Sequence, residues 1–128
     1  KSSTPADLVM IHDALRPLTQ QAQFERVYSA LTGDIDALRP ASPFTETLKS
    51  INTDNFIDQT IDRNSMMRIS TPELIRYNAI DFNAKTSTWF IPLNGSAKTG
   101  VVAADPDSNR INSEKEIELM GYLLDWNK

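Results

Sequence analysis

Apolar residues in the first half of the chain recur every three or four positions, which is the spacing of one face of an α-helix. Thr4 and Pro5 form a helix start, because threonine caps the first turn and proline fits its first position. The proline at position 17 and the glycine at position 33 would end the first and the second helix. The residues predicted to face inward are Leu8, Ile11 and Leu15 in the first helix, and Phe24, Val27, Tyr28 and Leu31 in the second.

Further helix starts are predicted in the middle of the chain. The dipeptides Ser42-Pro43 and Thr71-Pro72 both place a capping hydroxyl directly before a proline. Thr53 or Asp54 would cap another helix, which would carry Ile57 and Ile61 on one face. The N-terminal half is therefore predicted to be helical.

After position 76 the pattern changes to short segments rich in aromatic and β-branched residues. Three of these segments, Tyr77–Phe82, Thr86–Leu93 and Thr99–Ala104, are predicted strands. Joined in chain order, they would form a three-stranded antiparallel meander, and an apolar stripe over residues 117–124 predicts a C-terminal helix. The predicted fold is therefore α+β, with a helical N-terminal half, the meander, and the C-terminal helix packed on it, in a single domain over residues 1–128.

An acidic segment near the C-terminus is the one stretch of sequence that resembles a ligand-binding pattern. Oxygen-bearing side chains stand at the first, third, fifth and twelfth places of a calcium-binding loop. The match is imperfect, because Arg110 occupies the sixth place, where the sharp turn requires glycine. Calcium is thus the one cofactor that the sequence suggests, and the predicted ligands are Asp105, Asp107, Asn109 and Glu116.

The end of the same segment also matches a helix capping box. Ser113 would cap the C-terminal helix, and Glu116 three residues later would reach back to the N–H group of Ser113. The acidic residues would also suit the positive end of the helix dipole. Because Glu116 cannot close the box and bind calcium as a bidentate ligand together, the two interpretations exclude each other, and the sequence leaves both open.

Charge and composition exclude several classes of protein. The chain carries 17 acidic and 13 basic residues, for a net charge of −4, and this argues against a phosphate-binding surface and therefore against a nucleic-acid partner. It has no cysteine, which excludes disulfides, thiolate nucleophiles and zinc–thiolate sites. No stretch approaches the ~18 apolar residues of a membrane span. Because the first residue is Lys1 rather than methionine, a removed leader is one explanation, and a periplasmic or secreted location is favoured over a cytoplasmic one.

Recognisable catalytic motifs are missing from the sequence. His12 is the single histidine, and its neighbour Asp13 would point to a different part of a helix surface. No Gly-x-Ser-x-Gly turn is present, and the four glycines form no phosphate-binding loop. A small hydrolase that works through carboxylates or His12 is therefore the weakest of the functional hypotheses.

Surface features favour a non-enzymatic domain that binds a protein partner. Asp54, Asp58 and Asp62 are four residues apart, so on a helix they would form an acidic face suited to a basic partner. Trp89 and Phe90 lie in the predicted edge strand and would add an aromatic contact surface. The leading hypothesis is an interaction domain of the immunity, inhibitor, accessory or surface-component type, and the alternative is a calcium-stabilised module.

Overall fold

The computed structural model describes residues 7–85 and 91–126, which form a mixed sheet, a separate hairpin and two α-helices. The strands are β1 (Leu8–Ile11), β2 (Ala37–Pro43), β3 (Leu48–Ile51), β4 (Ile57–Ile61), β5 (Met67–Ile69), β6 (Glu73–Arg76) and β7 (Thr99–Ala103). The helices are α1 (Gln21–Ala30) and α2 (Glu114–Trp126), and single turns of 3₁₀-helix lie at Arg63–Ser65 and Tyr77–Ala79. No helix among these residues is both long enough and apolar enough to cross a membrane.

β2 is the central strand of the five-stranded sheet. Its first residues pair antiparallel with β6 and its last residues with β5, while β7 runs parallel to it from Ala37 to Ala41. β1 pairs antiparallel with β6, with Leu8 opposite Arg76. The sheet is therefore mixed, and its strands come together from segments that are far apart in the sequence.

The core lies between α1 and this sheet. Val27 of α1, Leu38 of β2 and Leu74 of β6 are each at most 1% exposed and form one apolar cluster. A Cβ atom at Gly100 would lie 3.0 Å from Leu38 Cδ2 and 3.4 Å from Ile35 Cδ1. Glycine at this position of β7 therefore allows close packing against the side chains beside β2.

β3 and β4 form a hairpin that stands outside this core. In its turn Asn55 has a φ of 64°, a left-handed conformation that asparagine tolerates better than most residues. Ile51, Phe56 and Ile57 at the same end of the hairpin are each more than 60% exposed. Within the described part of the chain, the apolar surface of these three side chains thus remains open to solvent.

The prediction that the N-terminal half is helical is wrong. Residues 8–11 form strand β1, and residues 12–20 form turns and irregular structure rather than the end of a helix. Leu8-Val9-Met10-Ile11 is an unbroken apolar run, and a run this short fits a buried strand as well as the face of a helix. Of the two helices predicted before residue 34, the structure confirms the second, as α1.

Strands also replace the helices predicted in the middle of the chain. Ser42-Pro43 ends β2, Thr71-Pro72 directly precedes β6, and Ile57 and Ile61 belong to β4. A proline after serine or threonine is typical of a helix start, but here one proline is the last residue of β2 and the other stands directly before β6. A residue without an N–H group is tolerated at a strand end as well, so the pattern does not distinguish the two cases.

The predicted three-stranded antiparallel meander is wrong as well. Tyr77–Phe82 begins with a 3₁₀ turn, and residues 86–90 of the second predicted strand lie outside the described residues. The third predicted strand forms β7 but pairs parallel with β2. The coarser class of a mixed fold with helices and strands is confirmed, as is a C-terminal helix, α2. The single domain over residues 1–128 stays a prediction.

Candidate functional site

The loop after β1 fixes the position of Asp13. The backbone N–H of Asp13 donates to Thr71 Oγ1 at 3.1 Å, and its Oδ1 accepts from the N–H of Leu15 at 3.0 Å. His12 Nδ1 lies 3.0 Å from the same threonine hydroxyl, and its ring centroid lies 4.9 Å from that of Phe24. The single histidine therefore supports the loop, and Asp13 is held by an Asx-type turn and by the segment before β6.

Arg16 belongs to the same loop and is largely buried. Its Nη1 donates to the carbonyl oxygen of Ser108 at 2.6 Å and its Nη2 to that of Ile69 at 3.4 Å. Its buried Nε has no hydrogen-bond partner among the described residues, and Asp13 Oδ2 lies 3.7 Å from it. A guanidinium group has five donors, so Arg16 can bind these two carbonyls and still donate to a ligand.

Arg110 approaches Asp13 from a distant part of the chain. Its Nε donates to Asp13 Oδ2 at 2.9 Å, and its Nη1 donates to Asn112 Oδ1 at 2.6 Å. The backbones of the two segments are also paired, because the N–H of Ile111 donates to the carbonyl oxygen of Leu15 at 2.8 Å. Residues 12–17 and 105–112 thus form one site.

A cavity of about 430 Å³ lies beside these two loops. It is lined by Arg16, Arg68, Asn109, Arg110, Asn112, Glu116, Leu119 and Met120. Three arginines and one carboxylate give these walls an excess of positive charge, although the whole chain has a net charge of −4. Arginine binds phosphate and carboxylate groups through paired, charge-assisted hydrogen bonds. The cavity is therefore chemically suited to an anion.

The arginines of the cavity affect one another's charge. Burial lowers the pKa of the Arg16 guanidinium, the Asp13 carboxylate opposes this shift, and the positive charges of Arg110 and Arg68 lower the pKa further. An arginine nevertheless stays protonated at neutral pH. An anion bound among these three positive charges would be attracted by all of them, and it would also reduce their repulsion of one another.

Asp13 supplies a carboxylate next to the cavity, where it contacts Arg16 and Arg110. Burial raises the pKa of this carboxyl group, but the hydrogen bond from Leu15, the hydrogen bond and charge of Arg110, and the charge of Arg16 together hold the pKa below its usual value. Asp13 is therefore ionised at neutral pH. Each carboxylate oxygen has two lone pairs, so Asp13 can accept a further hydrogen bond from a ligand hydroxyl.

We expect Asp13 to contribute to the loss of stability in acid. Because its pKa is lower in the folded than in the unfolded chain, the ionised group stabilises the fold above the unfolded value of about 4. This contribution is lost as the pH falls through the folded value. Free energies of unfolding, measured from about pH 6 to about pH 2, should decline less for Asp13→Asn than for the wild type. An equal decline would show that Asp13 carries no such linkage.

Two of the four predicted calcium ligands, Asp105 and Glu116, each have a carboxylate oxygen that accepts a hydrogen bond from another protein group. Asp105 Oδ1 accepts a hydrogen bond from Arg26 Nη2, and the Asp105 N–H donates to Gln23 Oε1 at 2.5 Å. Asn109 Nδ2 donates to the carbonyl oxygen of Pro106 at 2.9 Å. Within residues 7–85 and 91–126, no group of three or more histidine, aspartate or glutamate side chains could hold a metal ion. The calcium site stays a prediction for Asp105, Asp107, Asn109 and Glu116.

Glu116 instead caps the first turn of α2 with its side chain. Its Oε2 accepts from the N–H of Ser113 at 2.9 Å and also from the N–H of Asn112. These hydrogen bonds satisfy backbone donors that would otherwise lack a partner at the beginning of the helix. The geometry is that of the carboxylate half of the predicted capping box.

We expect Glu116 to stabilise the protein as a cap, without calcium. Glu116→Ala should lower the free energy of unfolding by about 1 kcal/mol, while Glu116→Gln should stay close to the wild type, because glutamine also closes a capping box. Thermal unfolding in EDTA and in millimolar calcium should give the same midpoint for all three proteins. A midpoint that rises with calcium in the wild type, but not in Glu116→Gln, would favour the calcium loop.

The residues predicted to bind a partner do not form one helical face. Asp54 lies in the turn of the hairpin, Asp58 lies in β4, and Asp62 caps the 3₁₀ turn that follows. The three carboxylates therefore belong to three different elements. Trp89 and Phe90, the other two predicted contact residues, lie outside the described residues.

The arginine cavity is the feature that sequence reasoning missed. Arg16, Arg68 and Arg110 come from three separate segments, and no sequence spacing relates them. One signal was present, because Arg110 stands in an otherwise acidic loop at the place where a calcium site needs glycine. A basic residue at that place disfavours a cation and favours an anion.

Comparison with solved structures identifies the fold of the chain. The chain is similar to 4-diphosphocytidyl-2C-methyl-D-erythritol synthase of Anaerococcus prevotii, with a TM-score of 0.72 and 23% identity, over 93% of this chain and 59% of that chain. It is also similar to 2-C-methyl-D-erythritol 4-phosphate cytidylyltransferase of Francisella tularensis, with a TM-score of 0.72 and 19% identity, over 95% and 62% of the two chains. At these identities the likeness establishes the fold alone, and the fold is nucleotidyltransferase-like.

Comparison of sequences identifies the family. Residues 2–89 match the family model of IspD, 2-C-methyl-D-erythritol 4-phosphate cytidylyltransferase, and the chain belongs to this family. The bifunctional enzyme IspD/IspF of Chelativorans sp. (strain BNC1) is 35% identical over 129 residues, which cover 92% of this chain and 31% of that protein. The chain therefore spans less than a third of this relative and about three-fifths of the two solved structures.

Family membership corrects the functional hypotheses drawn from the sequence. A non-enzymatic protein-binding domain of the immunity, inhibitor, accessory or surface-component type is wrong, because the family is one of enzymes. A basic protein partner is wrong for the same reason, since the family is named for the transfer of a cytidylyl group to a small molecule. The expected periplasmic or secreted location is wrong for a member of this biosynthetic family. The family description names no cofactor, so it does not bear on the calcium prediction.

Proposed function

We propose that this chain supplies the acceptor-binding part of a cytidylyltransferase whose acceptor is 2-C-methyl-D-erythritol 4-phosphate. The observation that carries the proposal is the cavity beside Asp13, which Arg16, Arg68 and Arg110 line together. A phosphorylated polyol offers one phosphate and several hydroxyl groups. The cavity walls offer guanidinium donors for the former, and Asp13, which lies against Arg16 and Arg110 next to the cavity, offers a carboxylate for the latter.

The charge of the cavity supports a phosphate ligand. Arg16 and Arg110 are fixed by hydrogen bonds to the protein, so little side-chain freedom is lost when they bind a ligand. Arg68 Nε has a longer hydrogen bond, 3.3 Å, to Ser42 Oγ. Arginine matches the planar spacing of two phosphate oxygens, whereas lysine would act as a point charge.

Asp13 supports a ligand that also carries hydroxyl groups. Its carboxylate is ionised at neutral pH and accepts hydrogen bonds from Leu15 and Arg110, with lone pairs left over. A hydroxyl of the acceptor can donate to one of these. Asp13 would thereby orient the polyol, and it would also reject a second phosphate at its own position by repulsion.

The reaction requires little acid–base chemistry from the protein. A phosphate oxygen of the acceptor forms a bond to the α-phosphorus of cytidine triphosphate, the bond from that phosphorus to the β-phosphate oxygen breaks, and pyrophosphate leaves with the bonding electrons. A phosphate monoester has a second pKa of about 6, so its attacking oxygen is already deprotonated at pH 7. The obstacle is repulsion between two anions, and fixed arginines reduce it by holding the acceptor phosphate in line.

The donor nucleotide lies outside what these residues supply. The four glycines of the chain form no loop that would surround its phosphates, and the described residues offer no cluster of three metal-binding side chains. The proposal concerns the acceptor site of the family's reaction, which these residues can form.

We expect the phosphate to dominate binding of the acceptor. In calorimetric titrations the chain should bind 2-C-methyl-D-erythritol 4-phosphate at least about 100-fold more tightly than unphosphorylated 2-C-methyl-D-erythritol, because charge-assisted hydrogen bonds to the arginines are lost with the phosphate. The affinity should also fall as salt is added. Equal affinity for the two compounds, or binding of neither, would overturn the proposal. Inorganic phosphate is the control that reports the anion alone.

A further inference from the structure

We propose that Gln23 on α1 is a positioning residue, which sets the loop of residues 105–112 so that Arg110 reaches Asp13. The inference rests on the proposed function, because the site being positioned is the acceptor site. Gln23 lies outside the cavity and would contact no ligand. Its effect would pass through the backbone of the loop.

Gln23 is completely buried, and both polar atoms of its amide have hydrogen-bond partners. Its Nε2 donates to the carbonyl oxygen of Thr71 at 2.7 Å and to Ser108 Oγ at 2.9 Å, while its Oε1 accepts from the N–H of Asp105 at 2.5 Å. A primary amide has two donors, and here both have partners. One side chain on α1 therefore binds the segment before β6 and two points of the loop.

Ser108 joins this amide to the site. Its Oγ also lies 3.0 Å from Thr19 Oγ1 and 2.6 Å from Ser70 Oγ, and its carbonyl oxygen accepts from Arg16 Nη1 at 2.6 Å. The residue is only 5% exposed. A serine that binds Gln23 through its side chain and Arg16 through its backbone connects the interior of the fold to the cavity wall.

Arg110 connects this hydrogen-bond network to the ligand site. Arg110 follows Ser108 closely in the chain, and its Nε donates to Asp13 Oδ2 at 2.9 Å. On the other side of Arg110, the N–H of Ile111 is bound to the carbonyl oxygen of Leu15. Arg110 is thus fixed from both sides, and the contacts of Gln23 with Ser108 and with the N–H of Asp105 are among those that fix the loop on the side of Asp105.

The choice of residue at position 23 also points to a specific role. Gln23 and Val27 are one helical turn apart, both are 0% exposed, and Val27 belongs to the apolar core. An apolar side chain at position 23 could pack on this buried face of α1 and would need no hydrogen-bond partner. A buried amide is costly unless every polar group has a partner, and such a departure from the local pattern is typical of a site under functional constraint.

The test compares Gln23→Leu with a matched variant, Gln21→Leu. Gln21 lies on the same helix but is exposed, and its amide donates only to Glu25 at 2.7 Å. Two quantities are measured on each folded protein: the NMR signal of the Arg110 Nε–H group without ligand, and the affinity for inorganic phosphate. In Gln23→Leu we expect the Arg110 signal to move and the affinity to fall about tenfold, which is the effect of about 1.4 kcal/mol. Gln21→Leu should change neither.

A second variant keeps the test decisive if Gln23→Leu does not fold. Ser108→Ala removes one hydroxyl group but leaves the backbone carbonyl that binds Arg16. It should shift the Arg110 signal in the same direction. If the folded variants leave the chemical shift of the Arg110 Nε–H group unchanged, or leave the phosphate affinity within about twofold of the wild type, the positioning role is wrong. A purely structural glutamine would lower the melting temperature without moving that signal.

Failure of this inference can be told apart from failure of the proposed function. The Arg110 signal is recorded without ligand, so it tests the contact with Asp13 whether or not the chain binds 2-C-methyl-D-erythritol 4-phosphate. If the wild-type protein does not bind the phosphorylated polyol, only the proposed function is overturned. An Arg110 signal that is the same in Gln23→Leu, Ser108→Ala and the wild type would overturn the positioning role only.

Discussion

Replacing Arg16 with glutamine is expected to weaken binding of 2-C-methyl-D-erythritol 4-phosphate about 100-fold. Of the three cavity arginines, Arg16 is the most buried. Its guanidinium donates to the carbonyl oxygens of Ser108 and Ile69, and its Nε–H has no acceptor within hydrogen-bond range among the residues that the structure describes. Losing its charge removes hydrogen bonds to an anion worth about 2.7 kcal/mol together. The dissociation constant, measured by calorimetric titration, is the quantity to compare.

Arg76→Gln is the matched control for this change. Arg76 also donates to two backbone carbonyls, those of Ile35 at 3.0 Å and Thr32 at 2.8 Å, but it does not line the cavity. The control therefore loses the same kind of structural hydrogen bonds without losing charge at the site. If both variants weaken binding equally, the effect of Arg16 is one of general stability and the cavity is not the phosphate site.

Replacing Leu74 with alanine is expected to lower the free energy of unfolding by about 3 kcal/mol, and the melting temperature by roughly 10 °C. Leu74 on β6 is 1% exposed and packs with Val27 and Leu38, so its removal leaves a cavity between α1 and the sheet. The same strand carries Glu73, which forms a partly buried ion pair with Arg39 of β2. A disturbance at Leu74 would therefore spread to the central pair of strands.

Leu124→Ala provides the comparison for Leu74→Ala. Leu124 on α2 is 53% exposed, and exposed substitutions of this kind usually change stability by no more than about 0.5 kcal/mol. Chemical denaturation of the two variants gives the difference directly. Similar losses would mean that the cluster around Val27 is not the main core of the fold.

The parts of the fold that can be predicted from sequence are those whose pattern is long. α1 and α2 carry apolar residues over several turns, and both are predicted as helices. β1 is four residues long and uninterrupted, so its pattern fits either structure. β2 contains Pro40 and Pro43, which argue against a central strand by local rules. Its place in the sheet depends on partners that lie far away in the sequence, and no local window contains them.

The same limit applies to the site. The capping box at Ser113 and Glu116 is local, and its carboxylate half is present as predicted. The cavity requires Arg16, Arg68 and Arg110 to come together, and only tertiary structure decides which of the 13 basic residues of the chain do so. The helix assumed for residues 4–16 also separated Asp13 from its true partners, because it treated Asp13 as one position on a helical surface.

The long sequence distance between paired strands implies that this protein forms its sheet late during folding. In β1 and β6, Leu8 lies opposite Arg76, and in β2 and β7, Ala37 lies opposite Thr99. Each pairing closes a long loop, and the entropy cost of closing it precedes the gain from the contacts between the strands. Domains dominated by such non-local contacts fold in milliseconds to seconds, more slowly than helical bundles. During synthesis α1 and the β3–β4 hairpin can form from local contacts, but β2 lacks its parallel neighbour until Thr99–Ala103 has left the ribosome. The yield of native protein in cells should therefore rise at lower growth temperature, where the exposed strand has less tendency to aggregate.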